Sequence, residues 1–202
     1  MNKSQVERYF KILGALYPKY CRVILTGAAA GALYGSPRGT MDVDFAAQTR
    51  DWKRFVKAVE EASARTGIVA QYAEDIDRWS SITLMDYDKH AYLYRRVGFI
   101  DLCLMEPPYW AIGKLGRYLD SDIRDMVRVF KKTRTKWRDV AAVAGKALRK
   151  SPKSTACFLF RKQVEDFLKK CGPQIWGDDY DPAVAIVSFH KQAGIHHENK
   201  QQ

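Results

Sequence analysis

Hydrophobic and polar positions along this chain change their period near its middle. In residues 4–17, Val6, Phe10 and Leu13 recur at helical spacing, which predicts an amphipathic first helix. Arg22–Thr26 is a short apolar run rich in β-branched residues, the signature of a buried strand, and Gly27 ends it. Ala28–Tyr34 follows as a small-residue helix able to pack closely on a sheet, and residues 35–39 read as a turn. Met41–Ala46 alternates with period two, so a strand here puts Asp42 and Asp44 on one face and Val43 and Phe45 on the other. A helix is predicted over Asp51–Arg65, closed by Gly67. Strands are then predicted over Ile68–Tyr72, Ser80–Met85, Ala91–Arg96 and Gly98–Met105. Asp86 and Asp88, a second Asp-x-Asp, fall in the hairpin turn between two of them.

From Pro107 onward the spacing is helical. Helices are predicted over Pro107–Tyr118, Asp120–Lys132, Thr135–Lys150 and Ser154–Lys170, the last stopped by Gly172 and Pro173, with a final one over Pro182–Ala193. Ile123, Met126, Val127 and Phe130 mark the inner face of the second, and Trp137, Val140, Ala141, Ala144 and Leu148 that of the third. Strands first and helices later predict an α+β fold, with an α/β core over residues 1–106 and a helical, basic part over residues 107–202.

Composition narrows the class. A chain of 202 residues that is 47% hydrophobic can bury a real core and is neither disordered nor low-complexity. Its apolar stretches fall far short of the ~20 residues a membrane helix needs, and the N-terminus has no apolar signal core. The expectation is a cytoplasmic protein without a membrane partner. Cys21, Cys103, Cys157 and Cys171 have no metal-type spacing and read as buried reduced thiols. His190, His196 and His197 stand near a polar tail and likewise do not suggest a metal site.

Charge is unevenly spread. The formal net charge is +11, and Arg128–Lys170 alone holds 14 basic side chains against Asp139, Glu165 and Asp166. Concentrated positive charge attracts polyanions because neutralised phosphates release their counterions, although a solvated helical surface has the same composition.

The segment with most chemistry is residues 26–45, TGAAAGALYGSPRGTMDVDF. Two carboxylates side by side repel each other, and a divalent cation relieves that. Mg²⁺ is usually held by one or two carboxylates plus substrate phosphates. Gly27 allows backbone to approach a triphosphate, the following helix start presents amides to it, and Arg38 has the fork geometry for phosphate. This segment resembles the nucleotidyltransferase superfamily, and most nearly its abortive-infection and toxin–antitoxin members. Their first motifs read glycine-glycine-x-alanine, a short helix, arginine, serine or threonine, then aspartate-x-aspartate. Gly27, Ala29, Arg38, Thr40, Asp42 and Asp44 follow that pattern, while Thr26 stands where the family usually has glycine. The resemblance covers residues 22–46 and 98–130.

The resemblance implies a mixed-sheet nucleotidyltransferase core and metal-dependent transfer of a nucleoside monophosphate from a nucleoside triphosphate to an acceptor hydroxyl. It implies Asp42, Asp44 and Asp101 as catalytic, metal-binding carboxylates for Mg²⁺ or Mn²⁺. Thr26, Gly27, Arg38, Thr40, Lys114 and Arg117 would bind the nucleotide, with Asp122 and Asp125 bracing the helix junction. The basic stretch, with Lys131, Lys132, Arg134 and Lys136 as acceptor contacts, points to RNA, a tRNA end among the candidates. A hydroxyl on a cognate toxin or antitoxin is the alternative acceptor, and a catalytically weak module that binds nucleic acid or a partner protein is the alternative function.

Overall fold

The computed structural model describes residues 2–36, 41–75, 81–84 and 86–195. The chain divides into two compact units, residues 1–79 with 86–106 and residues 80–85 with 107–202. In the first, α1 (Lys3–Leu16) leads into β1 (Cys21–Leu25), α2 (Gly27–Tyr34), β2 (Asp42–Thr49), α3 (Trp52–Thr66) and β3 (Val69–Ala73). The hairpin β4 (Ala91–Val97) and β5 (Ile100–Met105) completes it. The strands make one mixed sheet in the order β3-β2-β1-β5-β4. β1 lies at its centre, antiparallel to β2 and parallel to β5. β3 runs parallel to β2, and β4 antiparallel to β5. The class is therefore α+β with a mixed sheet.

Local chemistry sets the element ends. Asn2 caps α1 by accepting from the Gln5 amide while the Gln5 side chain accepts from the Asn2 amide. Asp51 caps α3 by accepting from the Arg54 amide, and Gly67 ends that helix with φ +69°. Alternation along β2 then decides what each sheet face carries. Val43, Phe45 and Ala47 are buried. Phe45 meets Phe10 of α1 at 5.6 Å and Phe55 of α3 at 6.3 Å between ring centroids, so α1 and α3 cover that face. Asp42 and Asp44 point to the other.

The second unit contains α4 (Pro107–Arg117), α5 (Asp120–Thr133), α6 (Trp137–Lys150), α7 (Thr155–Trp176) and α8 (Pro182–Ala193). Phe130, Phe160, Phe167 and Phe189 fill its core. Two sequence expectations change here. Residues 81–84 are not a strand. They belong to the helical unit, with Ile82 and Leu84 buried and the Thr83 amide donating to Ser151 Oγ at 2.7 Å. The alternation marks instead an irregular segment held at the carboxyl end of α6. α7 also continues past Gly172 and Pro173 to Trp176. Proline gives up the bond to the carbonyl four residues back and crowds it, here that of the exposed Lys169, and the bare Cα of Gly172 admits the Tyr180 ring. No helix among the described residues is long and apolar enough to cross a membrane.

Candidate functional site

The turn from β1 into α2 and the start of β2 form one local structure. The Thr26 amide donates to the Asp44 carbonyl at 3.0 Å, carrying the β1–β2 ladder one step beyond Leu25. Gly27 then takes φ +60°, a left-handed conformation that costs a side-chain-bearing residue about 1–3 kcal/mol. Its missing Cβ is used directly, because a Cβ there would collide with Asp44 Oδ2. The Asp44 carboxylate thus lies over the Gly27 backbone at the amino end of α2, where helix amides favour negative charge. Asp42, two residues earlier on the same face, accepts from Gln71 Nε2 at 3.0 Å. Gln71 sits across from Asp44 in the parallel β2–β3 register. It was not singled out from the sequence, where a lone polar residue in VAQYA was its only signal. Thr26 is the N-cap of α2 but its hydroxyl makes no capping bond.

Gly27→Ala should therefore be costly twice, through backbone strain and through displacement of Asp44. A loss of about 1–3 kcal/mol in urea unfolding is expected. A variant as stable as the parent would mean that the turn relaxes without disturbing the carboxylate.

Asp101 does not join this pair. It lies opposite Arg22 on β1, and Arg22 lies opposite Gln48 on β2. Asp44 is four residues along β2 from Gln48, and Asp101 is two strands across, so the Cα atoms are about 17 Å apart at ~3.4 Å per residue and ~4.8 Å per strand. Carboxylates that far apart cannot share a Mg²⁺ that holds its oxygens at ~2.0–2.1 Å. Asp101 is engaged elsewhere, accepting from Arg96 Nε at 2.6 Å, Arg96 Nη2 at 3.1 Å and the Tyr20 hydroxyl at 3.4 Å. The Arg96 guanidinium holds its carboxyl below the usual range despite burial. Its assignment as a third catalytic carboxylate is corrected: it shares the sheet face of Asp42 and Asp44 but stands at the other end of the strands. One step beyond the Leu25–Leu104 pair, the β5 position that comes alongside Thr26 is Met105. Among the described residues no three His, Cys, Asp or Glu side chains gather as a metal group. Asp42 and Asp44 remain a two-carboxylate donor set, which suits Mg²⁺ if phosphate oxygens complete its shell.

Lys114 is also corrected. It is 1% exposed, in the second unit, and its ammonium bonds Asp122 Oδ1 at 2.9 Å and Asp125 Oδ2 at 2.8 Å. The ammonium also lies 5.0 Å from the centroid of the Trp110 ring. A lysine so enclosed ties α4 to α5 and is too deeply buried to reach for a distal phosphate. Arg117, exposed at its tip, donates to Asp122 at 3.1 Å through Nη2 and 3.3 Å through Nε. Burial opposes the charge on Asp122, yet Lys114 and Arg117 hold its carboxyl below the usual range. Asp122 and Asp125 brace the helix junction from inside. Arg38 and Thr40 lie outside the described residues.

Lys131, Lys132, Arg134 and Lys136 are all exposed around the α5–α6 turn, where Arg134 caps α5 with φ +53°. His190 is buried, and its Nε2 lies 2.6 Å from Glu165 Oε1, which also accepts from Arg161 at 2.7 Å. That histidine is part of the α7–α8 packing. His196 and His197 lie outside the described residues. No protein-family profile, characterised protein or solved structure matches this chain.

Proposed function

We propose that the protein is a nucleotidyltransferase that moves a nucleoside monophosphate from a nucleoside triphosphate to a hydroxyl of RNA and releases pyrophosphate. The observation that carries this reading is the placement of Asp44 over the Gly27 turn at the amino end of α2, with Asp42 beside it on the same sheet face. The turn offers backbone to a phosphate, and the two carboxylates offer ligands to the divalent cation that accompanies a triphosphate. Such a cation, Mg²⁺ or Mn²⁺, would neutralise the departing pyrophosphate. The chain's own part is to hold the phosphates against the turn and to fix both carboxylates, Asp42 through Gln71 and Asp44 through its seat on Gly27. The mixed sheet with β1 between an antiparallel β2 and a parallel β5 supports a nucleotidyltransferase core. The basic helical unit supports a nucleic acid acceptor, and a role in a toxin–antitoxin or phage-defence system follows from the resemblance of residues 22–46.

Met105 beside Thr26, and Lys114 enclosed by two aspartates, favour a second reading. With neither a third carboxylate among the described residues nor that lysine at the nucleotide, the module would bind without turning over. Incubation with each labelled nucleoside triphosphate, Mg²⁺ and cell lysate separates the outcomes. Label in RNA with pyrophosphate release is the expected result. Label in protein would move the acceptor to a partner's hydroxyl, and no label with retained RNA binding would favour the module.

A further inference from the structure

The exposed cations of the helical unit form two groups at opposite ends of α6, and the groups differ in what surrounds them. α6 has 14 residues, so its ends stand about 20 Å apart at 1.5 Å per residue. At the N-terminal end are Lys131, Lys132, Arg134, Lys136 and Arg138, all exposed. Carboxylates share that corner. Asp139 lies in the first turn of α6. The loop carrying Asp178, Asp179 and Asp181 is tied there as well, since Trp176 Nε1 donates to the Thr135 carbonyl at 2.7 Å and the Trp137 and Tyr180 rings meet at 6.1 Å. These acids offset the local positive field.

At the other end no such offset comes from the described residues of α6 and α7 around the junction. Lys146, Arg149 and Lys150 finish α6, Lys153 lies in the link, and Lys162 stands two turns into α7, all exposed. From Lys146 to Lys162 the chain contains no acidic residue. The first acid beyond is Glu165, whose Oε1 is taken by Arg161 and His190 and whose Oε2 lies 3.8 Å from Lys162. The amino end of α7, capped by Ser154 on the Cys157 amide, adds its positive dipole. Within this cluster Phe158 is 58% exposed and Leu159 52% exposed. The Lys162 ammonium is 5.8 Å from the Phe158 ring centroid. Solubility explains lysines on a surface but not a bare phenyl ring among them. Cations for phosphates and an open aromatic face for a base are the working parts of single-strand binding. A duplex keeps its base faces stacked and cannot use the ring.

We infer that the α6–α7 junction grips a single-stranded segment of RNA, with phosphates on Lys146, Arg149, Lys150, Lys153 and Lys162 and a base stacked on Phe158. This inference rests on the reading that the acceptor is RNA, and it moves the main contact away from Lys131, Lys132, Arg134 and Lys136.

Fluorescence anisotropy with a labelled single-stranded RNA and a labelled RNA duplex, read across salt, tests it on the full chain. Changing Lys146, Arg149, Lys150 and Lys153 together to Gln should flatten the log–log salt slope by about 3, at ~0.7 per lost phosphate contact. It should weaken single-strand binding at least about 100-fold at ~50 mM salt. The same change at Lys131, Lys132, Arg134 and Lys136 should leave most of the affinity in place. Phe158→Ala should weaken binding about tenfold without altering the slope, Phe158→Trp should retain affinity, and its fluorescence should be quenched by RNA. All these side chains are exposed, so unchanged thermal unfolding is expected and confirms that the variants fold. Loss concentrated in the α5–α6 turn variant, preference for the duplex, or binding indifferent to Phe158 overturns the inference while leaving RNA as acceptor. A parent protein that binds no RNA at ~50 mM salt, where the electrostatic attraction is strong, overturns the RNA reading as well.

Discussion

Asp44→Asn should abolish nucleotide transfer and leave the fold intact. Asparagine has nearly the same shape, so its amide can keep the seat over Gly27 that a larger residue would lose. What it cannot keep is the full negative charge that binds a divalent cation. Replacing even an outer-sphere partner of a metal ligand costs 10–100-fold, so losing a direct carboxylate ligand should lower pyrophosphate release by more than about 100-fold. Asp42→Asn should do the same, although Gln71 would still have an oxygen to donate to. Stability should stay close to the parent's in both variants, because the loss of one of two like charges is set against the loss of a favourable contact, at Asp44 that with the amino end of α2 and at Asp42 that with Gln71. The pairing of lost turnover with retained unfolding midpoint is the informative result. Near-parental pyrophosphate release from either variant would remove the carboxylate pair from the chemistry and leave the β1–α2 turn as a binding feature only.

The parts of this site that could be read from the sequence are those that depend on local periodicity. A strand has a side-chain period of two, so MDVDF fixes that Asp42 and Asp44 share a face and that Val43 and Phe45 occupy the other. A glycine after an apolar run fixes the turn. The parts that could not be read depend on register between distant segments. FIDLCL says that Asp101 is on a strand, and even the face it shares with Asp42 and Asp44, but not at which end of the neighbouring strand it comes to rest. A displacement of four residues along the sheet turns a third metal ligand into the partner of Arg96. Lys114 shows the same limit on helices. Its spacing from Arg117 predicts an exposed basic stripe, whereas its burial depends on Asp122 and Asp125 from the next helix. Uneven charge along the chain was legible as a total. Its division into a corner offset by acids and a junction whose own segment, 146–162, has none required the packing of residues 177–181 against the α5–α6 turn.

Lys114→Met should be among the most destabilising single changes in the helical unit. Methionine has an unbranched chain of similar length and can fill the same buried space beside Trp110, so the change chiefly removes the charge. The variant buries Asp122 and Asp125 without their shared ammonium, and removing one partner of a buried ion pair costs about 3–5 kcal/mol. The pH dependence identifies the cause. In the parent the folded-state pKa of Asp122 is below the ordinary 3.8, so its contribution to stability is present above that value and is lost as pH falls through the depressed one. In the variant burial outweighs the remaining Arg117, and the folded-state carboxyl of Asp122 should bind its proton more tightly than the unfolded one. Stability then increases on acidification through that range, and the gap between parent and variant should narrow from pH 7 toward pH 4 in urea titrations. Replacing the three together, Lys114→Met with Asp122→Asn and Asp125→Asn, should recover much of the loss, since no unpaired charge stays buried. A lysine that served a triphosphate would behave differently. Its loss would leave the unfolding curve in place at every pH and weaken triphosphate binding selectively over monophosphate, and that pair of results would return Lys114 to the nucleotide site.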